Sequence, residues 1–206
     1  VFTTSDVLRV PYKETFDMDY VENTTSSVPN WFAYSSKRGA HPPFVNTNQM
    51  KSTRLSFSPD STTALFFHGS NNTDVAITKG AYSYICVPEL YVDSVKHLQI
   101  SFWTINYVTD GSVPIGDFCK IIIGVMSDPS NKNTFVAVDT VEITSVLDFE
   151  EKFVSLEKYT GDGKYITFMS DFKDGRNAFV IDNLLIEYIP TTPKANISVA
   201  LPEADA

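Results

Sequence analysis

The chain predicts an all-β fold, a sandwich of two antiparallel sheets, on three observations. Extended apolar-rich runs recur between turn signals, and no helical period is sustained over ten or more residues. Phe, Tyr, Thr, Ser and Asn are plentiful while charged residues make up only 20%, which is the balance of strands and turns rather than of helices. At 206 residues, a single domain of this class buries a substantial core without metal or disulfide staples.

The elements follow in order. Strands are expected at 12–19, 31–34, 52–57, 63–68, 81–87, 97–107, 118–127, 134–142, 152–157, 164–171 and 179–188. HLQISFWTINY (97–107) partly alternates, with Leu98, Ile100 and Phe102 against Gln99 and Ser101, as a strand with one face in the core does; Trp103 reads as structural. CKIIIGVM (119–126) is almost continuously apolar and reads as a central strand. Turn formers from Ser127 to Asn133 then lead into TFVAVDTVEI, a meander or hairpin signal. YTGDGKY (159–165) is a glycine turn before ITFMSDF. Only SVLDFEEKFVSLEK (145–158) competes as a helix, against a loop followed by a strand, which the surrounding β pattern favours. Two prolines in PTTPKA (190–195) mark an exit from the last strand, so 10–189 reads as the domain and 190–206 as a linker or the start of a further module. The first residue is valine, and the chain reads as lacking its native start.

Charge and cysteines narrow the function classes. A formal net charge of −9 with no basic tract excludes a protein built to neutralise nucleic-acid phosphates. No apolar run reaches membrane-spanning length, so no membrane insertion by this segment is expected. Cys86 and Cys119 are the only cysteines, both in apolar strand-like runs; they read either as two buried thiols or as one inter-strand bridge. Sequons at Asn23, Asn71 and Asn196 are no more than a Ser/Thr-rich chain yields by chance.

Catalysis finds no support. Neither GxSxG nor HExxH occurs, the three histidines are scattered, and acid pairs such as Glu150 and Glu151 lack a sugar cleft to span. TGDGK (160–164) has neither the spacing nor the following helix of a phosphate loop.

Five segments in order, VPYKETFD, VPNWF, AYSYICVPELYV with HLQISFWTINY, FVSLEKYTGDGKYITFMS and NAFVIDNLLIEYI, resemble the jelly-roll modules called cleaved-adhesin or choice-of-anchor J domains. These are similar in shape to MAM and galactose-binding-like domains and are common on secreted or surface proteins of Bacteroidetes. The resemblance covers about residues 10–189 and implies a jelly-roll sandwich. It also implies that the first strand, with Glu14 and Phe16, and the last, with Ile181, Asp182 and Asn183, meet at one sandwich edge, where related jelly rolls often hold structural calcium. Glu14, Asp17 and Asp182 are the expected ligands, with Asp19 nearby, since calcium takes six to eight oxygens; the competing reading leaves them solvated or bonded to backbone.

Trp31 matches a Trp of the family motif that plugs the sandwich core. A sugar-stacking role for Trp31 or Tyr34 is the alternative, because an aromatic face covers the apolar face of a pyranose. His41 and Asn46 in the expected loop 35–48, and Asn71 and Asn72 in the expected loop 68–74, complete the candidate ligand-binding set. The expected function is a non-catalytic extracellular adhesion or carbohydrate-binding module of a larger bacterial surface protein. Its partner would be a glycan or a host or cell-surface protein, with neighbouring domains in the full-length chain. The alternative is a structural spacer or protein-interaction domain with no glycan ligand.

Overall fold

Twelve strands form among the residues described in a computed structural model, which are 7–17, 25–36, 42–46, 63–68, 81–107, 119–145, 148–172 and 178–191. They are β1 (Tyr12–Glu14), β2 (Thr25–Ser26), β3 (Phe32–Ser35), β4 (Phe44–Asn46), β5 (Ala64–His68), β6 (Ala81–Cys86), β7 (Leu98–Tyr107), β8 (Cys119–Met126), β9 (Val136–Ile143), β10 (Glu150–Ser155), β11 (Tyr165–Phe172) and β12 (Ala178–Tyr188). One sheet runs β10-β7-β12-β5-β4-β2, with β1 also paired to β12, and the other runs β3-β6-β11-β8-β9. All of these named pairings are antiparallel. The architecture is thus a jelly-roll-like sandwich of two antiparallel sheets.

The core between the sheets is built from alternate residues of facing strands. Leu98, Ile100 and Phe102 of β7, Ile121, Ile123 and Val125 of β8, Ile166 and Phe168 of β11, and Ile181, Leu184 and Ile186 of β12 are all fully buried there. Phe102 meets Phe168 across the two sheets edge to face, at 5.6 Å and 88°, the geometry that aromatic quadrupoles favour. Each such side chain contributes roughly 1.5–3 kcal/mol by leaving water.

β12 organises one edge. Ala178–Ile181 pair with β5, whereas Leu184–Ile186 pair with β1 on the same side. The pairing with β7 slips between Asp182 and Leu185, and Asn183 takes a left-handed φ of 49°, a conformation that Asn tolerates better than most residues. Asp182 therefore sits where two partner strands hand over, and that irregularity accounts for an acid inside an apolar strand.

Some expectations are corrected, and two open alternatives are decided. The strand expected at 12–19 ends at Glu14, because Phe16 turns left-handed at φ 53° and drops its buried ring against Trp31, at 5.7 Å and 69°. The segment 35–48, read as loop, contains β4, held by buried Val45 and by the stacking of Phe44 on Phe66 at 6.1 Å; Asn46 is accordingly a strand residue. Among the described residues of 145–158 there is no helix, and Glu150–Ser155 form β10, as the favoured loop-then-strand reading has it. Cys86 and Cys119 are free and buried. Cys119 lies in the inter-sheet core and Cys86 on the opposite, outer face of the same sheet, so no bridge can join them. The strand expected at 52–57 lies outside the described residues, as do His41, Asn71, Asn72, Asp19 and the three sequons. Among the described residues no helix is long and apolar enough to cross a membrane.

Candidate functional site

The outer face of the five-stranded sheet is the unusual surface of the molecule. Strand alternation places Phe32 and Tyr34 of β3, Tyr82, Tyr84 and Cys86 of β6, Tyr165, Thr167 and Met169 of β11, and Ile122, Gly124 and Met126 of β8 on this side. In register, Phe32, Cys86, Thr167 and Gly124 form one row, and Tyr34, Tyr84, Met169 and Ile122 the next. The outer rows gather aromatic rings and sulfur, whereas the inner side of the same strands carries Ile85, Phe168 and Ile123 beside buried Ser83 and Ser170.

Residues 127–135 fold back over part of this face. Asp128 Oδ1 accepts from the Ser130 amide at 2.9 Å and from its hydroxyl at 2.7 Å, and these bonds hold its carboxyl below the usual value. Asn131 Oδ1 accepts from the Asn133 amide, capping the 3-10 turn Lys132–Thr134. The Tyr84 hydroxyl donates to the Pro129 carbonyl at 3.0 Å, and the Lys132 ammonium stands 4.5 Å from the centre of the Tyr82 ring. Phe135 covers Gly124, where an added Cβ would lie 2.5 Å from the Phe135 ring and 2.4 Å from the Val136 carbonyl. Glycine is needed there for close approach.

What stays open is the β3 side. Phe32 is 39% exposed and Tyr34 40%. Phe32 is stacked with Tyr84 at 6.2 Å and 28°, and Tyr34 lies 5.3 Å from Tyr84 at 34° and 6.3 Å from Tyr82 at 35°. The four rings are thus inclined to their neighbours by 28° to 35°. Burial, followed by the thiol of Cys86 and the hydroxyls of Tyr34 and Tyr82, pushes the Tyr84 hydroxyl up to about 12, so it stays a hydrogen-bond donor across the physiological range.

The sequence-predicted ligand-binding residues do not all converge. Tyr34 is on this platform. Trp31, one residue before β3, is half-buried against the core and Phe16, in agreement with the plug role. Asn46 belongs to β4 in the other sheet. Sequence reasoning missed Phe32, Tyr82, Tyr84 and Lys132, although the alternation of Phe32 with Tyr34 and of Tyr82, Tyr84 and Cys86 already puts each set on one strand face.

Of the expected calcium ligands, Glu14 and Asp182 lie on paired strands. Glu14 is in register with Leu184, two residues along β12 from Asp182. Glu14 accepts from the Tyr12 hydroxyl at 2.6 Å and from the Phe16 amide at 2.9 Å. Asp182 is fully buried and accepts from the Asn183 amide at 2.7 Å. Asp17 is exposed. The donors are hard oxygens, as calcium requires. Among the described residues, however, no three His, Cys, Asp or Glu side chains group as metal ligands.

The fold is similar to three solved domains of Lys-gingipain. The K1 cleaved adhesin domain from Porphyromonas gingivalis W83 superposes with a TM-score of 0.61 at 12% identity, over 88% of this chain and 99% of that one. The K2 domain gives 0.61 at 10% identity, over 87% and 99%. The K3 domain gives 0.52 at 12%, over 80% and 97%. At these identities the likeness is one of fold, and to that extent the expected resemblance holds. No protein-family model matches the chain, and no curated protein matches it in sequence.

Proposed function

We propose that the chain is a non-catalytic, extracellular adhesion or carbohydrate-binding module of a bacterial surface protein, and that the β3 side of the five-stranded sheet holds the ligand. The observation that carries this is the contiguous set of rings of Phe32, Tyr34, Tyr82 and Tyr84, inclined to their neighbours by 28° to 35°, two of them more than a third exposed. An aromatic face of this kind covers the C–H face of a pyranose, and the Tyr34 and Tyr82 hydroxyls with the Lys132 ammonium would meet its hydroxyl groups. The likeness to cleaved adhesin domains supports a surface role and names no ligand.

A glycan array run with the wild-type chain and with Tyr34→Ala tests the reading. Binding of neutral glycans that is lost in the variant is expected. No binding above background would return the chain to the spacer reading. A structural calcium ion at the β1–β12 corner is a second part of the proposal, supported by Glu14 and Asp182 on paired strands. An ion held only by the folded chain raises its melting temperature, so equal melting temperatures in chelator and in millimolar calcium would remove it.

A further inference from the structure

At one end of the sandwich, two adjoining surface clefts share Tyr188. The smaller, of about 390 Å³, is lined by Arg9, Tyr91, Asp93 and Lys164 among others; the larger, of about 620 Å³, includes Lys96, His97 and Glu157. Both volumes lie in the range of small-molecule sites. The walls are stapled by backbone bonds. The Leu8 amide donates to Glu89 O at 2.9 Å, Tyr91 to Leu8 O at 2.8 Å, Leu90 to Lys164 O at 3.3 Å, and Ile189 to His97 O at 2.9 Å. These bonds bring the segment before β1, both flanking connections and the end of β12 into one frame, so the cleft residues are presented from fixed positions.

The chemistry of the lining is selective. Tyr91 is 69% and Tyr188 53% exposed, and the two tyrosines line the same cleft. The Arg9 guanidinium stands 5.5 Å from the centre of the Tyr91 ring, which orients the cation without neutralising it. Among the described residues, neither Arg9, Lys96 nor Lys164 forms an ion pair. The Tyr91–Tyr188 cleft sets two cations, Arg9 and Lys164, against one carboxylate, Asp93, a locally positive spot in a chain of net charge −9 that suits an anionic ligand with an apolar face. A bare phosphate or sulfate would leave the rings and the acceptor oxygens of Asp93 unused. A sugar uses all three kinds of group.

We propose that this end of the sandwich is a second ligand site, separate from the sheet face, that takes an acidic saccharide. The pyranose C–H face lies on Tyr91 or Tyr188, the sugar carboxylate is held by Arg9 and Lys164, and Asp93 accepts from a ring hydroxyl. The site shares no residue with the β3 platform, so it stands or falls independently of the reading above.

Isothermal titration with oligogalacturonate, and with neutral galacto-oligosaccharide as control, tests it. Oligogalacturonate is expected to bind, with affinity falling as salt rises. Tyr91→Ala and Lys164→Gln are each expected to weaken it roughly tenfold with no change in melting temperature, whereas Tyr34→Ala leaves it unchanged. The proposal is overturned if oligogalacturonate does not bind, if its binding survives both end-cleft substitutions or is lost with Tyr34→Ala, or if a short oligoglutamate binds equally well.

Discussion

The two faces of β11 differ in what covers them. Phe168 points into the space between the sheets, where it meets Phe102 from the opposite layer; Met169, the next residue, points outward beneath the turn at 127–135, beside Tyr84, Cys86 and Met126. Both are buried. The inner side chain is enclosed by two sheets that have no other way to bury their apolar rows, while the outer one is enclosed by a turn held through single contacts of Tyr84, Lys132 and Phe135. A sheet opposite a sheet is an obligate cover, and a turn opposite a sheet can be shifted. The outer face is therefore where a ligand can compete with the protein itself.

The largest effect that this comparison predicts is at the inner face. Phe168→Ala is expected to cost about 3–5 kcal/mol in chemical denaturation, and Met169→Ala to sit at the low end of about 2–5 kcal/mol, because the turn can settle onto the smaller side chain. Equal losses would break the distinction between the faces. Gly124→Ala comes next. Its new Cβ would be 2.4 Å from the Val136 carbonyl, which belongs to the β8–β9 pairing and cannot swing aside, so a cost of about 1–3 kcal/mol is expected. Its lifted turn should also speed the reaction of Cys86 with a thiol reagent; a variant with wild-type thiol kinetics would show that the turn is not the cover.

Much of this was legible in the sequence because period-2 alternation is a local property. Alternation and turn residues locate β5 to β12 to within a few residues, and the almost continuous apolar run at 119–126 correctly announces a central strand, buried on both faces from Ile123 to Met126. The identity of the second cover is not local. Nothing in CKIIIGVM distinguishes a strand between two sheets from one between a sheet and a turn, since Gly124 and Phe135 acquire meaning only when they meet. The short strand β4 was invisible for a related reason: three residues carry no period, and Phe44 is held by the ring of Phe66 rather than by its neighbours in the chain. Tyr34 was picked out as an exposed aromatic, but its partners Tyr82 and Tyr84 lie almost fifty residues away along the sequence, and the β3–β6 register that assembles them is a tertiary fact.

The two thiols measure the same contrast electrostatically. Burial pushes both Cys86, on the outer face, and Cys119, in the inner core, from 9.0 up to about 12, with the Thr167 hydroxyl partly offsetting the rise at Cys86. A group that keeps its proton longer in the folded than in the unfolded chain contributes stability that is complete below pH 9. That contribution is lost as pH climbs toward 12. Each thiol should remove about 1.4 kcal/mol per pH unit across that window, with Tyr84 adding in the same direction above pH 10. Urea midpoints between pH 8 and 11 should fall accordingly, and Cys119→Ala and Cys86→Ala should each flatten the slope by one thiol. A flattening confined to Cys119→Ala would mean that water reaches the outer face in solution.

The smallest effect on stability falls where the effect on binding is greatest. Tyr34 leans against Tyr82 and Tyr84 from an edge strand of four residues and is 40% exposed, so Tyr34→Ala should change the free energy of unfolding by no more than about 0.5 kcal/mol, as exposed substitutions do. Phe32→Ala should behave alike. Loss of glycan binding in both variants with melting temperatures unchanged would separate recognition from folding along a single strand. If either variant instead destabilises the chain as strongly as Met169→Ala, the rings of β3 belong to the cover of the sheet. In that case their spacing reflects packing, because a side chain on which the fold depends cannot exchange its neighbours for a sugar without unfolding what it supports.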